Sequence, residues 1–165
     1  MKRTLHIGDV EIGLPAVQAA LSGYSDLAMR TVARAHGVTY AINEVVLDAL
    51  VLQKGKLQRR ILSVPENDHP VGGQLMGSQP EIFGQAAREL VRAGYDIVDI
   101  NFGCPVNKVL GRHRGGWLLQ ETGTALAMVE AVLQAVQGDA PVSVKMRRGT
   151  DDSPEAEKRF WTILD

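Results

Sequence analysis

The chain has 165 residues, 45% of them hydrophobic and 22% charged, with a formal net charge of −1. That length suits one domain with a sizeable core, and the composition argues against disorder and against a globally polyanion-seeking surface. No apolar run approaches the ~18 residues that span a bilayer, residues 1–13 (MKRTLHIGDVEIG) lack the apolar stretch of a secretory signal, and the only cysteine is Cys104. One thiol allows neither an internal disulfide nor a cysteine-based zinc site, so a reducing, cytoplasmic setting is the expectation.

Short β-branched runs alternate with longer stretches of helical spacing along the chain. AVQAAL (16–21) predicts a first strand. A helix follows through Leu27, Met29, Val32 and Ala33, capped by Ser25 or Asp26 and ended at Gly37. TYAINEV (39–45) predicts a second strand, with a helical start over 47–52. VGGQLMG (71–77) predicts a third, and SQPE (78–81) joins a capping hydroxyl, an early proline and an acidic first turn at a helix entry. That helix aligns Phe83, Ala86, Ala87, Leu90 and Val91 on one face and stops near Gly94. DIVDI (96–100) predicts the fourth strand. Beyond a glycine-rich loop, residues 125–136 space Met128, Val129, Val132, Leu133 and Val136 for a helix. PVSVKM (141–146) predicts a fifth strand, and 154–164 a fifth helix.

Strands alternating with helices imply βαβ units and a parallel sheet. A doubly wound sheet would carry a GxGxxG turn after its first strand, and SGYSD is not that turn. A (β/α)8 barrel instead gathers functional groups at the C-terminal ends of many strands. Polar or unusual residues recur there: Ser22-Gly23, Asn43-Glu44, Gln74, Asn101 to Cys104, and Lys145 to Arg147. The α/β class expected is therefore a TIM-barrel type, of which residues 1–165 supply about the first five units of one catalytic domain. A complete barrel takes about 250 residues, so either further chain or a second chain would have to complete it.

The strand-end residues suggest a chemistry. Gln74 donates and accepts hydrogen bonds, Asn101 offers an amide, Lys145 a positive charge and Cys104 a thiol. No His-x-x-His or carboxylate cluster suggests a metal, Glu44 and Asp48 stand too isolated for two-carboxylate catalysis, and no Ser-His-Asp set is evident. A lysine and a glutamine beneath a flat polar ligand suit a flavin. A free thiol titrates near ~8.5 and is mostly protonated at neutral pH, which suits a general acid.

DINFGCPVNKVLGRHRGGWLL (99–119) resembles the signature of tRNA-dihydrouridine synthases: asparagine, any residue, Gly-Cys-Pro, a basic stretch and a glycine-rich turn. AALSGYSDLAMR, NEVV, GGQLMGSQPE and VSVKMRRG resemble further motifs of that family in the same order. The likeness covers nearly all of the chain but about the first half of a typical member. It implies FMN on a TIM barrel, NADPH as reductant, and uridine in tRNA as the substrate whose C5=C6 bond is reduced. By the same resemblance Cys104 would donate the proton to C5. Asn101, with Lys108, Arg112 and Arg147, would meet the substrate, while Gln74, Lys145 and the segment Ala20, Leu21 and Ser22 would hold the flavin. The target base would have to be extruded from folded RNA. Two positions depart from the family pattern: Ala19-Ala20-Leu21 replaces Ala-Pro-Met, and Trp117 follows Gly115-Gly116 where a small residue is usual.

Two basic runs, KGKLQRR (54–60) and Arg112-His113-Arg114, are candidates for RNA phosphates, each weighed against a merely solvated face. Glu44 is expected to act as a hydrogen-bond support and not as a catalyst. The competing functional readings are another flavin barrel reducing a free pyrimidine or enone, and an incomplete barrel without activity.

Overall fold

The computed structural model describes residues 4–165. An antiparallel hairpin of β1 (Leu5–Ile7) and β2 (Val10–Gly13) opens the chain. After it come α1 (Leu27–Ala35), β3 (Ala41–Ile42), β4 (Val46–Leu47), α2 (Asp48–Leu52) and α3 (Lys56–Ile61). The second part is regular: β5 (Val71–Met76), α4 (Pro80–Arg92), β6 (Ile97–Phe102), the short α5 (Asn107–Leu110), α6 (Thr122–Val136), β7 (Val142–Met146) and α7 (Pro154–Leu164). The strands β3, β5, β6 and β7 lie parallel in that order, with β4 also pairing parallel to β5. This is the α/β, barrel-type sheet expected, curled into part of a barrel with its helices on one face. No helix among the described residues is long and apolar enough to cross a membrane.

Alternation along the strands sorts their two faces. Val71 and Leu75 of β5 and Val98, Ile100 and Phe102 of β6 point to the helices and pack with Phe83, Ala86, Ala87, Leu90, Met128 and Val132. Each large apolar side chain buried there contributes roughly 1.5–3 kcal/mol. The helices α4 and α6 approach closely because Gly84 has no side chain. A Cβ there would stand 2.8 Å from the Ala131 carbonyl oxygen. On the opposite, concave face a small second cluster of Ile12, Tyr40, Ile42 and Ile97 forms the floor. The hairpin supplies that floor, since Thr39 Oγ1 donates to the Ile12 carbonyl at 2.5 Å and the turn at Gly8 lies against Pro141.

Two expected strands differ in detail. Residues 16–21 form a single parallel bridge, Gln18 to Ala41, held by Gln18 N–H to the Tyr40 carbonyl (3.1 Å) and Ile42 N–H to the Gln18 carbonyl (2.9 Å). With Val17 and Leu21 exposed and β3 its one partner among the described residues, the segment lacks a second neighbour to extend its ladder. The expected strand 39–45 splits into β3 and β4. Asn43 N–H bonds the Gly72 carbonyl (2.8 Å), but Glu44 N–H turns to the Ser25 carbonyl (3.1 Å), away from the sheet. The hairpin, α5 and a 3-10 turn at Gly115–Leu119 are elements that apolar periodicity did not reveal.

Candidate active site

Polar side chains occupy the concave face one layer above the floor. Register places Gln74 of β5 beside Asp99 of β6, and Asp99 beside Ser143 of β7. One layer nearer the strand ends, Asn101 stands beside Lys145. Gln74 and Asp99 are 1% and 3% exposed, so their polar atoms must be satisfied within the protein. They are. Ser143 Oγ donates to Asp99 Oδ1 (2.5 Å), Gln74 Nε2 donates to Asp99 Oδ2 (2.5 Å), and Asn101 Nδ2 donates to Gln74 Oε1 (2.7 Å).

The chain of bonds ends on the backbone that carries the thiol. Asn101 Oδ1 accepts from Gly103 N–H (3.1 Å) and Cys104 N–H (3.0 Å). Gly116 N–H donates to the Cys104 carbonyl (3.0 Å), and Arg147 Nε donates to the Gly103 carbonyl (2.9 Å). Three separate elements thus hold two consecutive peptide groups at the end of β6. The glycine pair after the basic turn has a physical cause here. Gly115 adopts φ +58°, where L side chains are strained, and a Cβ on it would fall 2.9 Å from Cys104 Cβ. A Cβ on Gly116 would meet the Cys104 carbonyl oxygen at 3.1 Å.

Electrostatics follow from burial. The Asp99 carboxyl is pushed above the ordinary carboxylate range by desolvation, against the opposing pull of the Ser143 and Gln74 hydrogen bonds and of Lys145. Asp48 is raised by burial too, opposed by the Ala49 N–H and by Arg114. Tyr40, whose hydroxyl is buried without a partner among the described residues, is raised by burial and then by Asp99 and Asp96. No ion pair engages Lys145 among the described residues, and its side chain stands on the exposed rim of β7.

A second group of expected residues gathers elsewhere. Ser22, Lys108 and Arg112 line a cavity of about 440 Å³ with Glu44, Arg60 and Arg114. Glu44 Oε2 accepts from Gly23 N–H at 2.8 Å and its other oxygen lies 3.6 Å from Arg60 Nη2, so it ties the Ser22-Gly23 turn to the α3 basic run. Beneath that turn, Arg30 is buried at 2% exposure. It donates to Asp68 Oδ2 through Nε (2.9 Å) and Nη2 (2.6 Å), and through Nη1 to the Ser25 carbonyl (2.9 Å) and Asn43 Oδ1 (2.7 Å).

The structure therefore unites Gln74, Asn101 and Cys104 in one bonded group, sets Lys145 against it, and ties Arg147 to the thiol loop. Ser22, Lys108 and Arg112 meet around the adjoining cavity. Ala20 packs against the floor cluster, and the exposed Leu21 closes a turn by donating its N–H to Ser25 Oγ (2.7 Å). Asp99, Ser143 and the Arg30 cluster were not singled out from the sequence. A usable signal existed for Asp99: Ile97, Asp99 and Asn101 share one strand face, and two polar residues there interrupt an apolar run.

A family model described as dihydrouridine synthase (Dus) matches residues 17–164. The chain is 32% identical over 150 residues to a probable tRNA-dihydrouridine synthase 1 from Synechocystis, covering 91% of this chain and 42% of that protein. It is 31% identical over 147 residues to tRNA-dihydrouridine synthase B from Pseudomonas aeruginosa, covering 89% and 44%. It is 35% identical over 138 residues to a probable tRNA-dihydrouridine synthase from Rhizobium leguminosarum, covering 83% and 42%. The chain thus spans less than half the length of these relatives. Among solved structures, histamine dehydrogenase from Rhizobium sp. 4-9 superimposes with a TM-score of 0.70 at 15% identity, over 99% of this chain and 34% of that one, a likeness of fold.

Proposed function

The chain belongs to the dihydrouridine synthase family, and from that premise we propose that it is the N-terminal part of a cytoplasmic, flavin-dependent reductase of uridine in tRNA. Further chain or a second subunit would complete the barrel. The observation that carries this reading is the anchored thiol. Cys104 sits at the C-terminal end of a barrel strand with both its N–H and its carbonyl fixed, beside the Asn101 amide and the Lys145 side chain.

The donor set fits a flavin. Gln74 spends one Nε2 hydrogen on Asp99 and keeps the other, and Lys145 stands exposed at the rim of β7, so both can serve the acceptor-rich edge of an isoalloxazine. FMN reduced by NADPH would supply a hydride equivalent to C6 of the uracil. The protein would then do the rest. Cys104 gives its proton to C5 as a general acid, and the fixed Gly103–Cys104 peptides limit where the thiol can travel. Asn101 has one Nδ2 hydrogen unspent, enough to orient a uracil carbonyl. Lys108, Arg112 and the neighbouring Arg60 and Arg114 give the adjoining cavity a positive wall for RNA phosphates. The FMN phosphate would find its usual partners in the loops after the seventh and eighth strands of a complete barrel, beyond the five-stranded parallel sheet.

The test is to titrate the purified chain with FMN and then supply NADPH and tRNA lacking dihydrouridine. Flavin uptake with dihydrouridine formation supports the reading. Reduction of free uracil or an enone with tRNA untouched would transfer it to another flavin barrel, and failure to take up flavin would leave an inactive fragment.

A further inference from the structure

We propose that Asp99 is the positioning residue of the thiol loop, acting on Cys104 through a one-way hydrogen-bond relay formed by Gln74 and Asn101. The direction of that relay is fixed by chemistry at one end. Two backbone N–H groups, of Gly103 and Cys104, point at Asn101, so its oxygen must face them and its nitrogen must face Gln74. Gln74 must then turn its oxygen to Asn101 and its nitrogen to Asp99. Neither amide can rotate without opposing two donors or two acceptors. The relay needs a terminal acceptor at residue 99, and the carboxyl provides it while its second oxygen accepts from Ser143.

The consequence reaches across three strands. An acceptor removed at residue 99 strands the buried Nε2 of Gln74, frees that side chain to turn, and loosens the amide that holds the Cys104 peptide. An asparagine at this position keeps the direction, because its oxygen accepts from Gln74 and its nitrogen donates to Ser143 Oγ. The relay also leaves Gln74 one unspent Nε2 hydrogen to present to whatever lies over the strand ends. That last point rests on the flavin reading. The link to Cys104 does not.

Because Cys104 is the only cysteine, its reaction with iodoacetamide reads the loop directly, without flavin or RNA. Asp99→Leu should change the alkylation rate by about fivefold or more, while Asp99→Asn stays within about twofold of the parent. In an Asn101→Ala background, Asp99→Leu should add less than about twofold, since the route to the thiol is already cut. Gln74→Met cuts the same route one step later and should reproduce the Asp99→Leu rate, which keeps the test alive if the leucine variant does not fold. Rates for Asp99→Leu or Gln74→Met that match the parent, an Asp99→Asn rate that matches Asp99→Leu, or effects of residues 99 and 101 that simply multiply would each overturn the relay. A chain that takes up no flavin yet shows this coupling keeps the relay and loses the proposed function. A chain that reduces uridine without the coupling does the reverse.

Discussion

Replacing Arg30 by methionine keeps the apolar stem of the side chain and removes a guanidinium that makes four buried hydrogen bonds. The partners fare unequally. Asp68 retains Arg34, whose Nε donates to Oδ1 at 3.0 Å, so its charge is not abandoned. Asn43 keeps its Nδ2 bond to the Tyr95 hydroxyl (2.7 Å) but loses the donor to its oxygen, and the Ser25 carbonyl loses its arginine. Breaking a buried pair on one side costs roughly 3–5 kcal/mol. The surviving Arg34 contact places the loss at the lower end, about 3 kcal/mol, or about 6–12 °C in melting temperature for a chain of this size. Urea and thermal unfolding of the Arg30→Met variant measure it. A loss below about 1 kcal/mol would mean that this guanidinium is exchangeable for water despite its burial.

Two further outcomes follow from the site. Burial raises the Asp99 carboxyl above its unfolded value of ~3.9, so the native state holds that proton more tightly; the resulting stabilisation is complete below about pH 4 and is lost as pH rises through the native pKa. Asp99→Asn, permanently neutral, should therefore gain stability relative to the parent as urea midpoints are followed from about pH 4 to about pH 8, and a difference that stays constant over that range contradicts it. Gly115→Ala combines left-handed backbone strain with a Cβ placed 2.9 Å from Cys104 Cβ and 3.1 Å from its carbonyl oxygen. Together these should cost about 2–4 kcal/mol of unfolding free energy. An unchanged midpoint would mean that the glycine-rich turn does not pack on the thiol loop as described.

The regular part of the fold was legible because each element there carries its own signal. Pro80 with Glu81 starts α4, alternating apolar positions mark β6, and 3.6-residue spacing marks α6. The edge was less legible. Residues 16–21 have strand-like composition but only one neighbour, and composition does not report neighbours. The thiol, its asparagine, Gln74 and Lys145 were readable as strand-end residues of a barrel, and the roles proposed for them come from the resemblance of the motifs alone. Asp99 and Arg30 were not readable in that way, since their function depends on partners 25 to 44 residues away. A buried arginine in α1 looks in sequence like any polar position of an amphipathic helix, until Asp68 is brought beneath it.

We propose that Cys104 protonates a uracil held at this strand end. The direct measurement is the dihydrouridine content of tRNA, by mass spectrometry, in cells lacking their own dihydrouridine synthases and supplied with this protein or with its Cys104→Ala variant. Loss of a positioned general acid should lower formation by about 100-fold or more while FMN uptake by the purified variant is retained. Equal dihydrouridine from the two proteins would mean that Cys104 is not the proton donor.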